Sequence, residues 1–478
     1  MQTKLWIGGR FVAALSGKTF PVVNPADGKL LARVSEGGSG DIDAAVGAAV
    51  KAARGPWSTM HARERGAILL RIAGLIRKNL EALALLECRN AGKPLGDARE
   101  EMALAADTFE YYGGAANKHF GETIPVAGDG LDFTVRGPVG VCGLIVPWNF
   151  PLVIAAWKLG PALACGNTVV LKPSPETPLT ALALARLSVE AGLPEGVLNV
   201  VPGPGPGCGS ALVNHPLVRK ISFTGSTATG TSIMRAAADG IKRVSLELGG
   251  KSPNIVFEDA DLELCIEKSV WSVFYNAGQD CCARSRILVH RKIHDAFVEA
   301  LVKRTKKFVV GHPEKKGTQI GPIISARQYD KIAAYIASGK AEGAKLLCGG
   351  VRPKGVPPKG HYLTPAVFSG ADDNMSIVRD EIFGPVVAVI PFKDEAEAIR
   401  LANDSAYGLS ASLWTRDVGR VLRVTRAVQC GVVSVNTSSS VHLEAPFGGF
   451  KGSGLGRELG MKALDLYSEV KNVFISNL

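Results

Sequence analysis

Val139-Gly140-Val141-Cys142-Gly143-Leu144-Ile145-Val146, followed at once by Pro147-Trp148-Asn149-Phe150-Pro151, is a short apolar run that stops on a polar turn. The same arrangement recurs at 168–171, 197–201, 220–223 and 243–246, each run short and rich in β-branched residues. Helical stretches at 180–191 and 227–238 lie between them. Continuous apolar strands separated by helices predict a parallel sheet covered on both faces, hence an α/β fold. Ligands of such sheets bind outside the carboxyl ends of the strands, so the residues just after each strand carry the functional reading.

Those residues are polar. Lys172-Pro173-Ser174-Pro175-Glu176 follows the second strand, Thr224-Gly225-Ser226-Thr227 the fourth, and Glu247-Leu248-Gly249-Gly250-Lys251 the fifth. Gly225 and Ser226 open a helix, where free N–H groups favour a phosphate, although a plain N-cap at Ser226 explains the same residues. Gly203-Pro204-Gly205-Pro206-Gly207 reads as a turn, because its prolines lack N–H donors. Glu247 is either an exposed acid at a strand end or a catalytic carboxylate. Asn149, between Trp148 and Phe150, offers an amide to an oxygen that turns negative during attack on a carbonyl.

Around this sheet, residues 1–37 predict strands and turns, and Ile42, Val46, Val50 and Ala53 recur at helical spacing. Leu69, Ile72, Leu75, Ile76, Leu80 and Leu83 predict one longer helix. Residues 123–139 read as a projecting ribbon, and the closing 467–475 stretch alternates as a strand. Either offers an edge to another subunit. Further on, Phe274-Tyr275-Asn276-Ala277-Gly278-Gln279-Asp280-Cys281-Cys282-Ala283 presents two thiols behind a glycine turn. A thiol is the best neutral-pH nucleophile, but either cysteine serves on this ground alone, and a buried apolar cysteine is the plainer reading.

The composition narrows the class. A chain of 478 residues divides into two or three domains, and no apolar run approaches the length of about 18 that spans a membrane. Nine cysteines without a C-x-x-C pair predict reduced thiols and neither a disulfide framework nor a metal site. His290 and His294 stand four apart and read as a solvated pair on one helix face. The net charge of +11 is spread out, and its densest run, Lys303-Arg304-Thr305-Lys306-Lys307, reads as a wet helix face, so no nucleic-acid partner is expected. The opening residues lack the apolar core of a leader peptide, which predicts a cytoplasmic location.

Six stretches together resemble the NAD(P)-dependent aldehyde dehydrogenase superfamily from Trp6 onward: Pro147-Trp148-Asn149-Phe150-Pro151, Phe223-Thr224-Gly225-Ser226-Thr227, Leu246-Glu247-Leu248-Gly249-Gly250-Lys251, Gly278-Gln279-Asp280-Cys281, Glu381-Ile382-Phe383-Gly384-Pro385 and Pro446-Phe447-Gly448-Gly449. The resemblance implies two Rossmann-like open parallel-sheet domains and a small β oligomerisation element. Its expected boundaries are 1–121 with 141–248 for the dinucleotide domain, 249–452 for the catalytic domain, and 122–140 with 453–478 for the oligomerisation element of a homodimer or homotetramer. It selects Cys281 as the nucleophile, Asn149 as oxyanion donor and Glu247 as general base, with Lys158 and Glu458 in a proton relay. The implied reaction takes an aldehyde to its acid through a thiohemiacetal, hydride transfer and a thioester. A CoA-acylating semialdehyde dehydrogenase and a cofactor-independent cysteine hydrolase are the competing readings.

For NAD or NADP the resemblance implies contacts from Val146, Pro147, Trp148, Lys172, Ser174, Pro175, Glu176, Gly205, Phe223, Thr224, Gly225, Ser226, Leu248, Gly249, Glu381 and Phe383. NAD-preferring relatives carry an acid three residues after the lysine, whereas this chain has Pro175 there and Glu176 one later, which leaves NADP open. Phe150, Ile154, Trp157, Tyr275, Val441, His442 and Phe447 are expected to line the substrate mouth, which favours an apolar aldehyde and also suits a cationic one. Asp280, beside the nucleophile, is expected to point away, because turned inward it raises the thiol pKa.

Overall fold

The computed structural model of the protein describes residues 2–439 and 441–477. Two large sheets dominate it. The first has eight strands and gathers Leu5–Ile7 and Arg10–Val12 with Leu198–Val200, Thr168–Lys172, Val141–Ile145, Val218–Thr224 and Arg243–Glu247, closed by Gly454–Leu455. The second has seven strands, with Pro253–Val256, Arg286–His290, Val386–Phe392, Ser410–Trp414 and Val432–Val435 running parallel. In the first sheet Val141–Ile145, Thr168–Lys172, Leu198–Val200, Val218–Thr224 and Arg243–Glu247 run parallel, as the apolar runs predict.

The strands are apolar throughout because both faces are covered. Cys142 and Leu144 pack into one hydrophobic layer and Val141 and Ile145 into the other, as the alternation of a strand requires. Helix Pro151–Ala164 lies in the first of these layers and is buried almost along its whole length. A separate core surrounds the second sheet. A third, three-stranded sheet pairs Ser468–Ser476 with Gly130–Pro138 over nine residues and adds Thr123–Ile124 at the edge. Among the described residues no helix is long and apolar enough to cross a membrane.

Four local expectations change. The single helix through residues 69–83 is two, Ala62–Lys78 and Leu80–Ala91, because Asn79 leaves helical geometry at φ −104 and ψ 14 and its side-chain amide caps Leu75 O at 2.8 Å. The glycine-proline turn becomes a wide helical turn over Gly205–Gly209 that runs into helix Ser210–Asn214. His290 and His294 share no helix: His290 ends a strand, buried, with Nε2 3.0 Å from Lys393 O, while His294 starts helix His294–Thr305. In the basic run Arg304 is no bare cation, since it forms a two-point pair with Glu267 at 2.6 and 2.8 Å.

Candidate active site

Strand ends of the first sheet and loops of the second enclose a groove of about 540 Å³. Pro147, Trp148, Asn149, Thr224, Gly225, Ser226, Leu248 and Gly249 form one wall, with Cys281, Glu381 and Phe383 opposite and Glu176 at the rim. The loop leading into Cys281 is strained: Asn276, Ala277 and Gly278 take φ of 50, 56 and 70 in succession. Such a left-handed run costs energy at the two non-glycine residues and persists because neighbours pin it. The pins are side-chain amides. Asn276 Nδ2 donates to Asn149 O at 3.0 Å and Gln279 O at 3.2 Å, Gln279 Nε2 donates to Asn276 O at 3.0 Å, and Gln279 Oε1 accepts from Ile324 N at 2.9 Å.

Asn149 belongs to the same lattice of bonds. Its Nδ2 donates one hydrogen to Gln279 O at 3.1 Å, which leaves the second hydrogen of the amide available. Cys281 is half-buried in the groove wall, and its thiol is held well above the ordinary range by its hydrogen bond with Cys282, by burial, and by the charges of Asp280 and Glu381. It therefore rests protonated and needs a base. The expectation for Asp280 is corrected: the carboxylate turns toward the thiols, because its Oδ1 accepts the Cys282 N–H at 2.8 Å, and its carboxylate and the two sulfurs lie within 4.8 Å of one another.

Glu247 ends strand Arg243–Glu247 and is buried, not exposed. Among the described residues neither of its carboxylate oxygens has a hydrogen-bond partner. Burial first, then the negative charge of Glu458, raises its pKa well above the carboxylate range, and Lys158 opposes that rise. Behind Glu247, Lys158 and Glu458 form a buried ion pair, and Ser222 Oγ lies 3.1 Å from Lys158 Nζ and 3.3 Å from Glu458 Oε1.

The groove fits a dinucleotide on its own features. Ser226 caps helix Thr227–Ala238, accepting from Thr229 N at 3.3 Å, so the N-cap and phosphate readings coincide at one helix start. Thr224 Oγ1 is buried in the wall without a partner among the described residues. Glu381 Oε1 accepts Gly250 N–H at 3.0 Å, and a Cβ on Gly249 would lie 2.6 Å from that carboxylate, so only glycine leaves the space. Phe383 sits at φ 58 with its ring edge-on to Trp148 at 5.2 Å.

Other expected contacts lie outside this lining. Val146 and Phe223 are buried beneath it, Val146 N–H donating to Lys172 O at 3.1 Å and the Phe223 ring packing under Gly225. Lys172 is buried with Nζ on Pro173 O at 3.0 Å. Ser174 hydrogen-bonds the Glu176 carboxylate, Pro175 lines an adjoining depression, and Gly205 is exposed. Of the substrate set, Trp157 and Phe447 stack edge-on at 5.4 Å within an apolar cluster that includes both thiols. Phe150 and Tyr275 stack at 6.2 Å, with Lys93 Nζ 3.9 Å from the Phe150 ring centre. Ile154 is buried in the first core, whereas Val441 and His442 are exposed.

Ile324, Ser325, Arg327, Gln328 and Lys331 also line the groove and are absent from the sequence-based set. They come from the start of helix Ala326–Ala341 and hold the opposite turn: Gln328 Nε2 donates to Phe383 O at 2.8 Å, and Lys331 Nζ to Glu381 O at 3.2 Å. The only local signal was Ser325, an N-cap that accepts from Gln328 N at 3.3 Å.

A sequence profile described as the Aldehyde dehydrogenase family matches residues 11–473. The chain is 48% identical to aldehyde dehydrogenase 1A1 of Rattus norvegicus over 476 residues, covering 99% of this chain and 94% of that one. It is 48% identical to retinal dehydrogenase 2 of Homo sapiens, covering 99% and 92% respectively. The NAD+ complex of an aldehyde dehydrogenase from Bacillus cereus superposes with a TM-score of 0.98 at 47% identity, covering all of this chain and 97% of the other.

Proposed function

Because this chain belongs to the aldehyde dehydrogenase family and oxidises an aldehyde to its acid with NAD(P)+, we propose that Cys281, Asn149 and Glu247 carry the chemistry in this groove. The observation that supports this most is that Cys281 and Asn149, far apart in sequence, line one groove, and that hydrogen bonds tie Asn149 to the 276–279 loop that leads into Cys281. The thiol of Cys281 loses its proton to a base and its sulfur bonds to the aldehyde carbon. The carbonyl oxygen becomes an oxyanion, which takes the free N–H of Asn149 and the backbone N–H of Cys281. Glu247 is the base on this side, since it is buried beside the groove with both carboxylate oxygens unpaired among the described residues, and burial holds its pKa well above the carboxylate range.

Bound NAD(P)+ would be held by Ser226, Thr224, Glu381 and Phe383, and supplies the hydride acceptor that turns the thiohemiacetal into a thioester. Glu247 then removes a proton from water, the oxygen adds to the thioester carbon, and the carbon–sulfur bond breaks to release the acid and the thiol. Lys158 and Glu458 first pass onward the proton that Glu247 took from the thiol, which frees the carboxylate for this second step, and the proton taken from water returns to the sulfur as it leaves. A panel of apolar, aromatic and cationic aldehydes, retinal included, read against NAD and NADP as reduced nicotinamide, tests substrate and cofactor together. We assign preference to NAD, since Glu176, held by Ser174, brings a carboxylate to the rim where a 2′-phosphate would meet repulsion. The Trp157–Phe447 pair supports an apolar aldehyde, and total loss of turnover in Cys281→Ala is the expected control.

We propose the domain boundaries 1–121 with 141–248, 249–452, and 122–140 with 453–478; the separate cores of the two large sheets support this division, and the pairing of Gly454–Leu455 with Leu246–Glu247 at the edge of the first sheet goes against it at one point. The paired strands Gly130–Pro138 and Ser468–Ser476 expose Leu131, Val135 and Ile475 on one face and Val470 and Phe474 on the other, which supports a homodimer or homotetramer. Nine free thiols suit a reducing compartment, the reason to place the enzyme in the cytoplasm.

A further inference from the structure

Strands buried on both faces ordinarily carry apolar side chains on both. Val218–Thr224 and Arg243–Glu247 break this rule on one face. Ile221, Phe223 and Leu246 point into an apolar layer, so Lys220, Ser222, Thr224, Ser245 and Glu247 share the other. Their register pairs Ser222 with Ser245 and Thr224 with Glu247, which makes one polar file ending at the base. Lys220 begins it at the end away from Glu247, 1% exposed, with Nζ 3.0 Å from Ser245 Oγ and 4.7 Å from the centre of the Tyr467 ring. Against the same file lies the Lys158–Ser222–Glu458 cluster. The layer therefore holds two carboxylates and two amines. Lys158 is committed to Glu458, and Glu247 has no partner among the described residues.

We propose that Lys220 is a positioning residue for thioester hydrolysis, its buried positive charge on the polar file offsetting the negative charge of the carboxylates that share that layer. The inference rests on Glu247 being the base. Lys220 faces Ser222 on its own strand, Ser245 and Arg243 on the next, and Cys142 on the strand opposite. Lys158 faces it from helix Pro151–Ala164, and Glu458 and Tyr467 from the C-terminal segment. Burial chiefly, with Lys158 adding to it, brings its pKa down to about 8, so it is charged over the range where the base works.

The test is the pH profile of the steady rate after the first turnover, with the first-turnover burst as the measure of an intact site. Lys220→Met should move the acid limb up by about one pH unit, the order expected when one nearby buried charge is removed. The burst and the aldehyde KM should stay as in the wild type, and Lys220→Arg should return the limb to its place. Lys220→Gln, which keeps a donor to Ser245, repeats the measurement should the methionine variant not fold. A limb that stays put in the neutral variants, or that shifts equally with arginine, overturns the proposal. Glu247→Gln separates the two readings: if it does not stall turnover, the base is misassigned, and if it stalls while the limb ignores Lys220, only the role of Lys220 fails.

Discussion

Asn149→Ala removes a single amide whose two N–H groups have different duties. One holds Gln279 O at 3.1 Å, and that carbonyl keeps a second donor, Asn276 Nδ2 at 3.2 Å, after the substitution. The structural loss is therefore one neutral hydrogen bond, about 1 kcal/mol, with no buried carbonyl orphaned. The other N–H has no partner among the described residues and is the one we assign to the oxyanion. Loss of one such donor costs about 10²–10³ in rate, or about 3–4 kcal/mol of transition-state stabilisation. Stopped-flow release of reduced nicotinamide should show the first turnover itself slowed by that factor, since the oxyanion forms before the hydride leaves. Asn149→Asp keeps the shape and removes the donor, so it should be no better. If thermal unfolding shows a clear loss of stability while the first turnover stays within about threefold of the wild type, the amide is a strut for the loop and the oxyanion assignment is wrong.

Glu247→Gln should release one burst of reduced nicotinamide per site and then stall, with a steady rate about 10²–10⁴ lower; steady turnover at the wild-type rate refutes the base. Asp280→Asn removes a charge that holds the Cys281 thiol up, so the pH dependence of its alkylation should move to lower pH, and an unchanged curve would show that Asp280 does not act on the thiol. Glu87 is buried, and burial with the charge of Glu101 takes its pKa from 4.5 to about 7. The folded state thus holds a proton that the unfolded chain gives up. Its stabilising contribution is present below pH 4.5 and lost as the pH rises through about 7, an amount of about 3 kcal/mol. Glu87→Gln should flatten the fall of Tm across that window, and an identical profile in the variant would refute the protonated carboxyl.

Local periodicity makes the first wall of the groove legible in the chain. The apolar runs after 139 specify buried parallel strands because their side chains must satisfy two covered faces, and the polar residues after each run end up at the carboxyl edge because the chain leaves the sheet there. Asn149, Thr224, Gly225, Ser226 and Gly249 lie in the groove wall, with Glu247 buried beside it, for that reason. Gly278 with φ 70 is likewise foreseeable from the turn it must make. The second wall is not local. Gln328 and Lys331 read as an ordinary amphipathic helix start, and only the packing of the two sheets brings them onto Phe383 and Glu381. Asp280 turns inward because the Cys282 N–H lies 2.8 Å away, a geometry imposed by the strained loop and not by the order of residues. Lys220 and Ser222 sit in a strand that reads as apolar, and their meaning comes from the helix and tail packed over them. Periodicity places a residue on a face, but charge and hydrogen bonding act through space, so the partners of a buried group are decided only when distant segments meet.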